Sequence, residues 1–387
     1  MIPIERERLG DWFIYGSEKG YDYSLASVGR TALRMRDVVP DVDLDQSLDW
    51  GGAYFGPILL KERIIATQEY RTARPEELFL TNGTYEANFA AMLGNVGAGD
   101  EVIVEEPAWT QIRVLAKSLG ATVTVLPLRP EQGWKPDPDE LRGLMSPRTK
   151  LVYINHPNNP TGSVLTDDEI RAIVEVVEPY GAYLLSDEIY RGLEWDRPLS
   201  ATAIDNYERA IVTNSLTKTL GLCGLRLGWL ATHDTAARER AFAVHRYAVM
   251  VTNVLGERLA AEALAPDRFP HLLEVGKAAG RRNRQIIDAW IRQSGMLSWV
   301  PPAGGFTSFA RFEAPLSSWD LCRELLEHPY RTYLVPGICY HERFDDHVRI
   351  GFGGKSADQI PQALARIDEY RAQRLGRPAL AGAATGA

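Results

Sequence analysis

Residues 215–229, SLTKTLGLCGLRLGW, follow the apolar, β-branched run 210–213 after a single asparagine. Lys218 lies just beyond the strand that this run predicts, and burial there favours the neutral, nucleophilic form of its amine. Ser215, three residues earlier, and Arg226, eight residues later, are suited to binding a phosphate group. The stretch therefore predicts a Schiff-base lysine beside an anion site.

Three further stretches place polar side chains where an apolar strand ends or a helix begins. They are TNGTYEANF (81–89), HPNNPTG (156–162) and SDEIYRGL (186–193). The carboxyl ends of parallel strands open onto a common crevice, so residues that are distant in sequence can meet there. We therefore expect one composite site.

Short apolar runs alternate with amphipathic stretches through the middle of the chain. The runs are 102–104, 122–126, 151–154, 183–185 and 210–213, and residues 167–177 have helical spacing. Runs that are apolar on both faces and separated by helices are typical of a mostly parallel sheet covered on both sides. This pattern predicts a large α/β domain.

After about residue 270 the pattern becomes α+β. It predicts a helix over 277–294, a strand from PPAGGF (301–306) to 311, a helix over 319–326 and a strand in HVRIGF (347–352). We predict an N-terminal segment (1–45) lying across this second lobe, a large domain (46–275), a small C-terminal domain (276–372) and a disordered tail (373–387).

Composition and motifs exclude several classes of protein. With 43 Lys and Arg against 51 Asp and Glu, a net charge of -8 and no long blocks of one sign, the chain lacks the basic surface of a nucleic-acid binder. Three scattered cysteines favour a reducing cytoplasm, and they argue against a disulfide framework or a cysteine zinc site. The histidines are not at metal-ligand spacing, so no metal is expected. We expect neither a secretory signal nor a membrane helix, and the usual ATPase, zinc-hydrolase and serine-hydrolase motifs do not occur.

The stretch at 215–229 resembles the lysine motif of the class I/II aminotransferases, the fold type I enzymes that use pyridoxal 5′-phosphate (PLP). That motif is written S-[FL]-[ST]-K-x-x-G-[LM]-x-G-x-R-x-G. HPNNPTG, SDEIY, NVGAGDEVIVEEPAW (95–109), LVPG (334–337) and VRIGF (348–352) are similar to companion motifs in the same order, so the resemblance covers about residues 56–354. It implies a large domain with a mostly parallel central sheet flanked by helices, and a smaller α+β domain.

The resemblance also implies roles around the PLP ring. Lys218 would form the Schiff base and, once released, act as the general base that moves the substrate proton. Asp187 would keep the pyridine nitrogen protonated, so that the ring can accept electrons. Asn159 and Tyr190 would hydrogen-bond the phenolic oxygen of the ring, and Trp109 would stack on its face.

A second set of roles concerns anions and the partner subunit. Arg349 would bind the substrate α-carboxylate, with Asn159 beside it, because a guanidinium suits a carboxylate. By resemblance the enzyme is a homodimer with shared active sites, in which Tyr54 is the candidate for reaching the partner's phosphate. The phosphate would bind at the start of a helix, in a cup formed by Gly83, Thr84, Tyr85, Ser215 and Arg226.

The resemblance leaves the outcome of the reaction open. An aminotransferase that moves an amino group between an α-amino acid and a 2-oxo acid is the leading hypothesis. The region YDYSLASVGRTALRM (21–35) lacks the family's Gly-x-Pro turn over the substrate. It therefore favours, as the alternative, a PLP-dependent lyase, γ-replacement, cyclising or oxidative enzyme of a natural-product pathway. A non-enzymatic PLP-sensing regulator is disfavoured, since the first 45 or so residues do not suit a DNA-binding domain.

Overall fold

The computed structural model describes residues 4–39, 45, 47, 49, 52–313, 315–354 and 357–376. Its strands are β1 (Tyr23–Ser24), β2 (Leu78–Thr81), β3 (Glu101–Glu106), β4 (Thr122–Pro127), β5 (Thr149–Asn155), β6 (Tyr183–Asp187), β7 (Ala210–Ser215), β8 (Gly228–Ala231), β9 (Leu297–Trp299), β10 (Thr307–Phe312), β11 (Thr332–Tyr333), β12 (Val335–Pro336) and β13 (His347–Gly351). Its α-helices are α1 (Arg8–Lys19), α2 (Met35–Val38), α3 (Ile58–Gln68), α4 (Thr84–Asn95), α5 (Gln111–Ser118), α6 (Pro138–Leu144), α7 (Asp167–Val177), α8 (Leu216–Thr219), α9 (Thr235–Ala248), α10 (Val254–Ala263), α11 (Phe269–Ser294), α12 (Ser318–Leu326) and α13 (Ile360–Arg374).

A seven-stranded sheet in the order β2-β8-β7-β6-β5-β3-β4 is the centre of the large domain. Neighbouring strands are parallel, except that β8 is antiparallel to both β2 and β7. Strands β3, β6 and β7 are buried along their whole length, and alternate residues enter apolar clusters on the two faces. A sheet buried on both faces is what apolar runs without polar alternation predict. The predicted fold class is confirmed.

The register of this sheet brings the ends of its central strands together. Asn155 at the end of β5 lies beside Asp187 at the end of β6, and Asp187 lies beside Thr213 on β7. Helix α8, which carries Lys218, begins directly after β7, and α4 begins just after β2. Polar residues at the ends of four strands therefore open onto one edge of the sheet.

The helix predicted over 167–177 is α7, and its sequence explains where it begins. The Thr166 hydroxyl accepts a hydrogen bond from the Glu169 amide (3.3 Å), and the Glu169 carboxylate accepts one from the Thr166 amide (2.7 Å). This reciprocal pair is a capping box, which satisfies amide groups that the first helical turn leaves without partners.

A four-stranded antiparallel sheet in the order β12-β13-β10-β9 forms the second lobe, with α11, α12 and α13. The predicted helix over 277–294 is the last part of α11, which begins earlier, at Phe269. Helix α13 continues to Arg374, so the first residues of the predicted tail are helical, and residues 377–387 lie outside the described residues. The other domain boundaries stay predictions.

The N-terminal segment packs on this second lobe. Leu9 and Trp12 of α1 are fully buried in the same apolar cluster as β10, β13 and α12. The Trp12 indole donates a hydrogen bond to the Leu334 carbonyl (2.8 Å), and β1 pairs in parallel with β11. Contacts made by α1 and β1 therefore tie residues from the start of the chain to its C-terminal part.

From β1 the chain crosses over the edge of the large sheet. The amides of Gly351, Gly353 and Gly354 donate to the carbonyls of Leu25, Ser27 and Gly29, respectively, at 2.7, 3.0 and 2.7 Å. This roof segment, residues 25–30, passes so close to α8 that a Cβ on Gly29 would lie 3.2 Å from the Lys218 Cδ. Among the described residues, no helix combines the length and apolar character needed to cross a bilayer.

Candidate active site

A pocket of about 420 Å³ lies between the roof segment and the carboxyl ends of the central strands. All the candidate site residues except Gly83 line it, and Gly83 adjoins it at the start of α4. The lining candidates are Thr84, Tyr85, Trp109, Asn159, Asp187, Tyr190, Ser215, Lys218, Arg226 and Arg349. Residues spread over more than 260 positions of sequence thus meet in one place, as expected for strand ends.

Asp187 is buried at the end of β6, and its carboxylate is fixed by two donors. The Asn88 amide donates to Oδ2 (2.9 Å), and the Ile189 backbone amide donates to Oδ1 (3.2 Å). Asn88 is itself held by the Thr213 hydroxyl, which donates to its side-chain oxygen (2.7 Å). Burial raises the pKa of Asp187 to about 6, and the hydrogen bond from Asn88 opposes that rise. A cationic ring nitrogen placed at this carboxylate would favour its ionised form.

Lys218 lies on α8 with its amine in the pocket. Burial lowers the pKa of this amine to about 8, and the positive charge of Arg349 acts in the same direction. Asp187 and Cys223 oppose this shift. The consequence is a substantial neutral, nucleophilic fraction near physiological pH, since an ordinary lysine side chain is almost wholly protonated there.

The start of α4 has the features of an anion site. Gly83 has a φ of 83°, and a Cβ there would lie 2.7 Å from Arg226 Nη2, so a side chain would displace the guanidinium. The hydroxyl of Thr84, the first residue of α4, is buried without a hydrogen-bond partner in the described structure. First-turn amide groups of a helix also lack helical partners. Free donors and a cation therefore converge where the resemblance expects a phosphate.

Arg349 is 1% exposed and is held by neutral groups only. Its Nη1 donates to the Tyr340 hydroxyl (3.0 Å) and the Asn159 side-chain oxygen (3.3 Å), and its Nη2 donates to the Ala26 carbonyl (2.8 Å). Within the described part of the chain, the Nε group of Arg349 has no hydrogen-bond partner. A buried guanidinium in this state is suited to an incoming carboxylate.

The three remaining ring-binding candidates lie around the same space. The backbone amide of Asn159 donates a hydrogen bond to Asn155 Oδ1 (2.9 Å), and this bond fixes the turn in HPNNPTG. Trp109 meets Tyr85 edge to face, with ring centroids 5.6 Å apart. Tyr190 is buried, and burial raises its pKa well above the usual range, so its hydroxyl is protonated and can donate a hydrogen bond.

Several residues in or beside the pocket were not predicted from the sequence. Asn88 follows Thr84 by one helical turn, so helical spacing from the phosphate motif was a usable signal. Tyr340 does not line the pocket and lies just beyond LVPG in sequence, and only its contacts with Arg349 and Asn159 reveal its role. No motif pointed to Phe13, Ser27, Gly29, Arg30, Gln111 or Asn155, which also line the pocket.

The donor set fits the cofactor that the resemblance implies. An unpartnered hydroxyl and a helix N-terminus suit a phosphate, a buried carboxylate suits a protonated pyridine nitrogen, and a partly neutral amine suits an aldehyde. Within the described part of the chain, no cluster of His, Cys, Asp and Glu could hold a metal ion.

Comparison with known proteins gives the same result. The family model described as "Aminotransferase class I and II" matches residues 31–367. The chain is 33% identical over 318 residues to capreomycidine synthase of Streptomyces vinaceus, which covers 81% of this chain and 80% of that protein. It is 28% identical to an aspartate aminotransferase of Pyrococcus horikoshii, over 76% of this chain and 75% of that one. A PLP-dependent aminotransferase structure from Streptococcus suis superposes with a TM-score of 0.87 at 29% identity, covering 96% and 98% of the two chains.

The depressed pKa of Lys218 predicts the pH dependence of its acylation in the cofactor-free protein. The rate should rise with a midpoint near pH 8, because only the neutral amine reacts. Asp187→Asn should move the midpoint down, since it removes a negative charge that stabilises the ammonium form, and Arg349→Gln should move it up. Peptide mass spectrometry after short acylation pulses measures both shifts. A wild-type midpoint at the ordinary lysine value would contradict the electrostatics of this pocket.

Proposed function

The chain belongs to the class I and II aminotransferases, and we propose that Lys218, Asp187 and Arg349 carry its reaction. Enzymes of this family use pyridoxal 5′-phosphate and transfer an amino group between an α-amino acid and a 2-oxo acid. The observation that most supports these roles is the convergence of a partly neutral lysine, a buried carboxylate and an unpaired guanidinium on one pocket.

Each anionic or basic part of the cofactor has a proposed partner in the chain. Thr84, the first amides of α4, Ser215 and Arg226 would hold the phosphate. Asp187 would hold a proton at the pyridine nitrogen, with Asn88 keeping its carboxylate in place. When bound, the cofactor supplies an aldehyde that condenses with amines and a ring that accepts electrons from the substrate Cα.

Lys218 has two proposed tasks. Its neutral amine is the covalent attachment point for the cofactor, which the low pKa favours because protonated amines are not nucleophilic. When the substrate amine takes that place, the freed Lys218 amine would remove the proton from the substrate Cα. It would hold this proton on its nitrogen and later donate it to another carbon atom. One side chain thus serves as anchor and then as base.

Arg349 would bind and orient the substrate α-carboxylate. Tyr340, Asn159 and the Ala26 carbonyl fix two of its nitrogens, so its direction is set before the substrate arrives. Preorganised donors stabilise a bound anion without the cost of reorganisation. The roof segment covers this position, and the ring of Phe13 lies 5.6 Å from the guanidinium carbon.

A second reaction outcome is supported by one similarity. Capreomycidine synthase, which is 33% identical to this chain, is named as a synthase rather than as an aminotransferase. The roof segment, which contacts the site, is also where the sequence lacks the family's Gly-x-Pro turn. Cyclisation, elimination, replacement or oxidation therefore remains the alternative to amino exchange, since all start with the same proton removal.

We propose a homodimer whose interface borders the pocket. Tyr85, Phe89 and Leu93 are spaced four residues apart along one face of α4, and all are exposed. Nearby, Phe55 stacks on Phe242 of α9 while remaining 40% exposed. Contiguous apolar surface of this kind marks an interaction site. Tyr85 belongs both to this face and to the pocket lining, which supports active sites shared between subunits, with exposed Tyr54 as the candidate contact to the partner's phosphate.

A cytoplasmic location is proposed from the cysteines. Cys223, Cys322 and Cys339 are all free, and two of them are buried. Unpaired thiols of this kind suit a reducing compartment.

The identity of the reaction is tested by following the cofactor colour with a panel of amino acids. A donor amino acid should bleach the bound cofactor and release its 2-oxo acid, and a 2-oxo acid should then restore the colour. Arg349→Gln should lower kcat/KM by about 10²–10³-fold, because it removes a charged partner of the carboxylate. Arg246→Gln, at an exposed position of α9, is the matched control and should have little effect.

Product analysis in the same reactions separates the two outcomes. Ammonia, a lost side-chain group or a new ring, formed without colour recovery by any 2-oxo acid, would contradict amino exchange and support the alternative reaction.

The proposed interface predicts the behaviour of charged variants. Phe89→Glu combined with Leu93→Glu should convert a dimer to a monomer in multi-angle light scattering, because it places charges in a desolvated apolar face. Val275→Glu, at a 46% exposed position of α11, is the control and should leave the dimer intact. A wild-type protein that is monomeric at micromolar concentration would overturn the dimer proposal.

A further inference from the structure

Glu105, near the end of β3, is a buried carboxyl group that the proposed reaction does not use. It is 4% exposed. Its Oε1 accepts two hydrogen bonds, from the Asn155 backbone amide (2.7 Å) and from the Asn158 side-chain amide (3.0 Å). One oxygen atom therefore joins β3 to the end of β5 and to the loop that follows it.

The first of these contacts leads to two residues of the site. Asn155 donates from its side chain to the Asp187 carbonyl (2.9 Å) and accepts from the Asn159 backbone amide (2.9 Å). Asn159 in turn contacts Arg349. Fixing the Asn155 backbone thus fixes the residue that orients both Asn159 and the end of β6.

The second contact leads to the loop that carries Trp109. Asn158 donates from its side chain to the Pro107 carbonyl (3.1 Å) as well as to Glu105. Its side-chain oxygen is occupied by the Thr161 amide (3.0 Å) and hydroxyl (2.7 Å). Asn158 is therefore fully committed, and its orientation depends on the acceptor that Glu105 supplies.

No cation pairs with Glu105 within 4 Å in the described ranges. The two arginines near the end of β3, Arg113 and Arg343, both pair with the adjacent Glu106, at 2.9 and 3.1 Å. A buried carboxylate without a cation is costly, and the cost is avoided if the group keeps its proton.

Among the neighbouring groups, the charge of Asp187 also favours the protonated form of Glu105. Asp187 on β6 contributes a negative charge, and Tyr153 on β5 is a buried phenol whose hydroxyl has no partner in the described structure. Tyr340 completes the small cavity beside Glu105, while β4 presents Leu126. Burial raises the pKa of Glu105 to about 8, hydrogen bonds from Asn155 and Asn158 oppose the rise, and the charge of Asp187 adds to it.

We propose that Glu105 is a positioning residue that acts as a neutral carboxylic acid, holding the loops of Asn159 and Trp109 in place while leaving Asp187 as the anion of the site. The proposal rests on the proposed function, because the positioned residues matter only if they bind the cofactor. Glu105 itself does not line the main pocket.

Two substitutions separate the acceptor from the volume of the side chain. Glu105→Gln keeps a neutral group with an acceptor oxygen, whereas Glu105→Leu keeps similar volume but leaves the Asn155 and Asn158 donors unpaired. Titration of the full-length apoprotein with PLP, followed by absorbance, should give a Kd within about threefold of wild type for Glu105→Gln. It should give a Kd raised about tenfold or more for Glu105→Leu, as expected for unpaired buried donors. If both variants bound PLP equally weakly, the neutral-acid proposal would be overturned. If both bound PLP with wild-type affinity, the proposal that Glu105 positions the loops would be overturned.

A second measurement does not need the cofactor. When folding raises the pKa of a carboxyl group, the folded protein loses stability as pH rises between the unfolded-state and folded-state pKa values. For Glu105 these values are 4.5 and about 8. The melting temperature of the wild-type apoprotein should therefore fall relative to that of Glu105→Gln across this range and run parallel above it. A constant difference would overturn the neutral state. If this slope appears but wild-type protein binds no PLP, the proposed function fails while the protonation state of Glu105 stands.

Discussion

Three charged side chains, those of Asp187, Lys218 and Arg349, face one pocket without forming ion pairs with one another. Removing charges from water is costly, and a chain that only had to be stable would pair or replace them. Asp187 and Arg349 are held instead by neutral hydrogen-bonding groups, which leave one side of each charge open, and Lys218 is kept partly neutral by burial. Such an arrangement is stable enough to fold and is completed by a ligand that brings complementary charges. The chemistry of the site follows from this incomplete neutralisation.

The sheet makes the arrangement possible. Parallel strands end at the same edge, so Asn155, Asp187 and Thr213 come into register although they are far apart in sequence. The backbone at that edge is fixed by the sheet, and side-chain amides then transmit this rigidity to the pocket. Asn88 does so for Asp187, and Asn155 does so for the turn that holds Asn159. Function therefore depends on neutral polar residues as much as on the charged ones.

Much of this organisation is predictable from sequence. The apolar runs predicted five strands of the large sheet, β3 to β7, because burial on both faces leaves a pattern that needs no knowledge of partners. The candidates around Lys218 were found because their motifs lie in the short segments that follow those strands. Tyr340 and Glu105 were missed for a different reason: each acts through a contact with a residue distant in sequence, and a single tyrosine or glutamate carries no local signature. Asn88 was also missed, although its helical spacing from Thr84 places it on the pocket side of α4. The resemblance placed residues 21–35 near the substrate, but the position of the roof segment over Lys218 is set by hydrogen bonds to Gly351, Gly353 and Gly354, which no local pattern reveals.

The most direct test of the central claim is to identify the amine that holds the cofactor. Reduction of the PLP-loaded protein with borohydride, followed by proteolysis and mass spectrometry, should find the added mass on the peptide that contains Lys218. The Lys218→Ala protein should carry none. Cofactor fixed at another lysine, or a wild-type protein that takes up no PLP at all, would contradict the role of Lys218 as the anchor of this pocket.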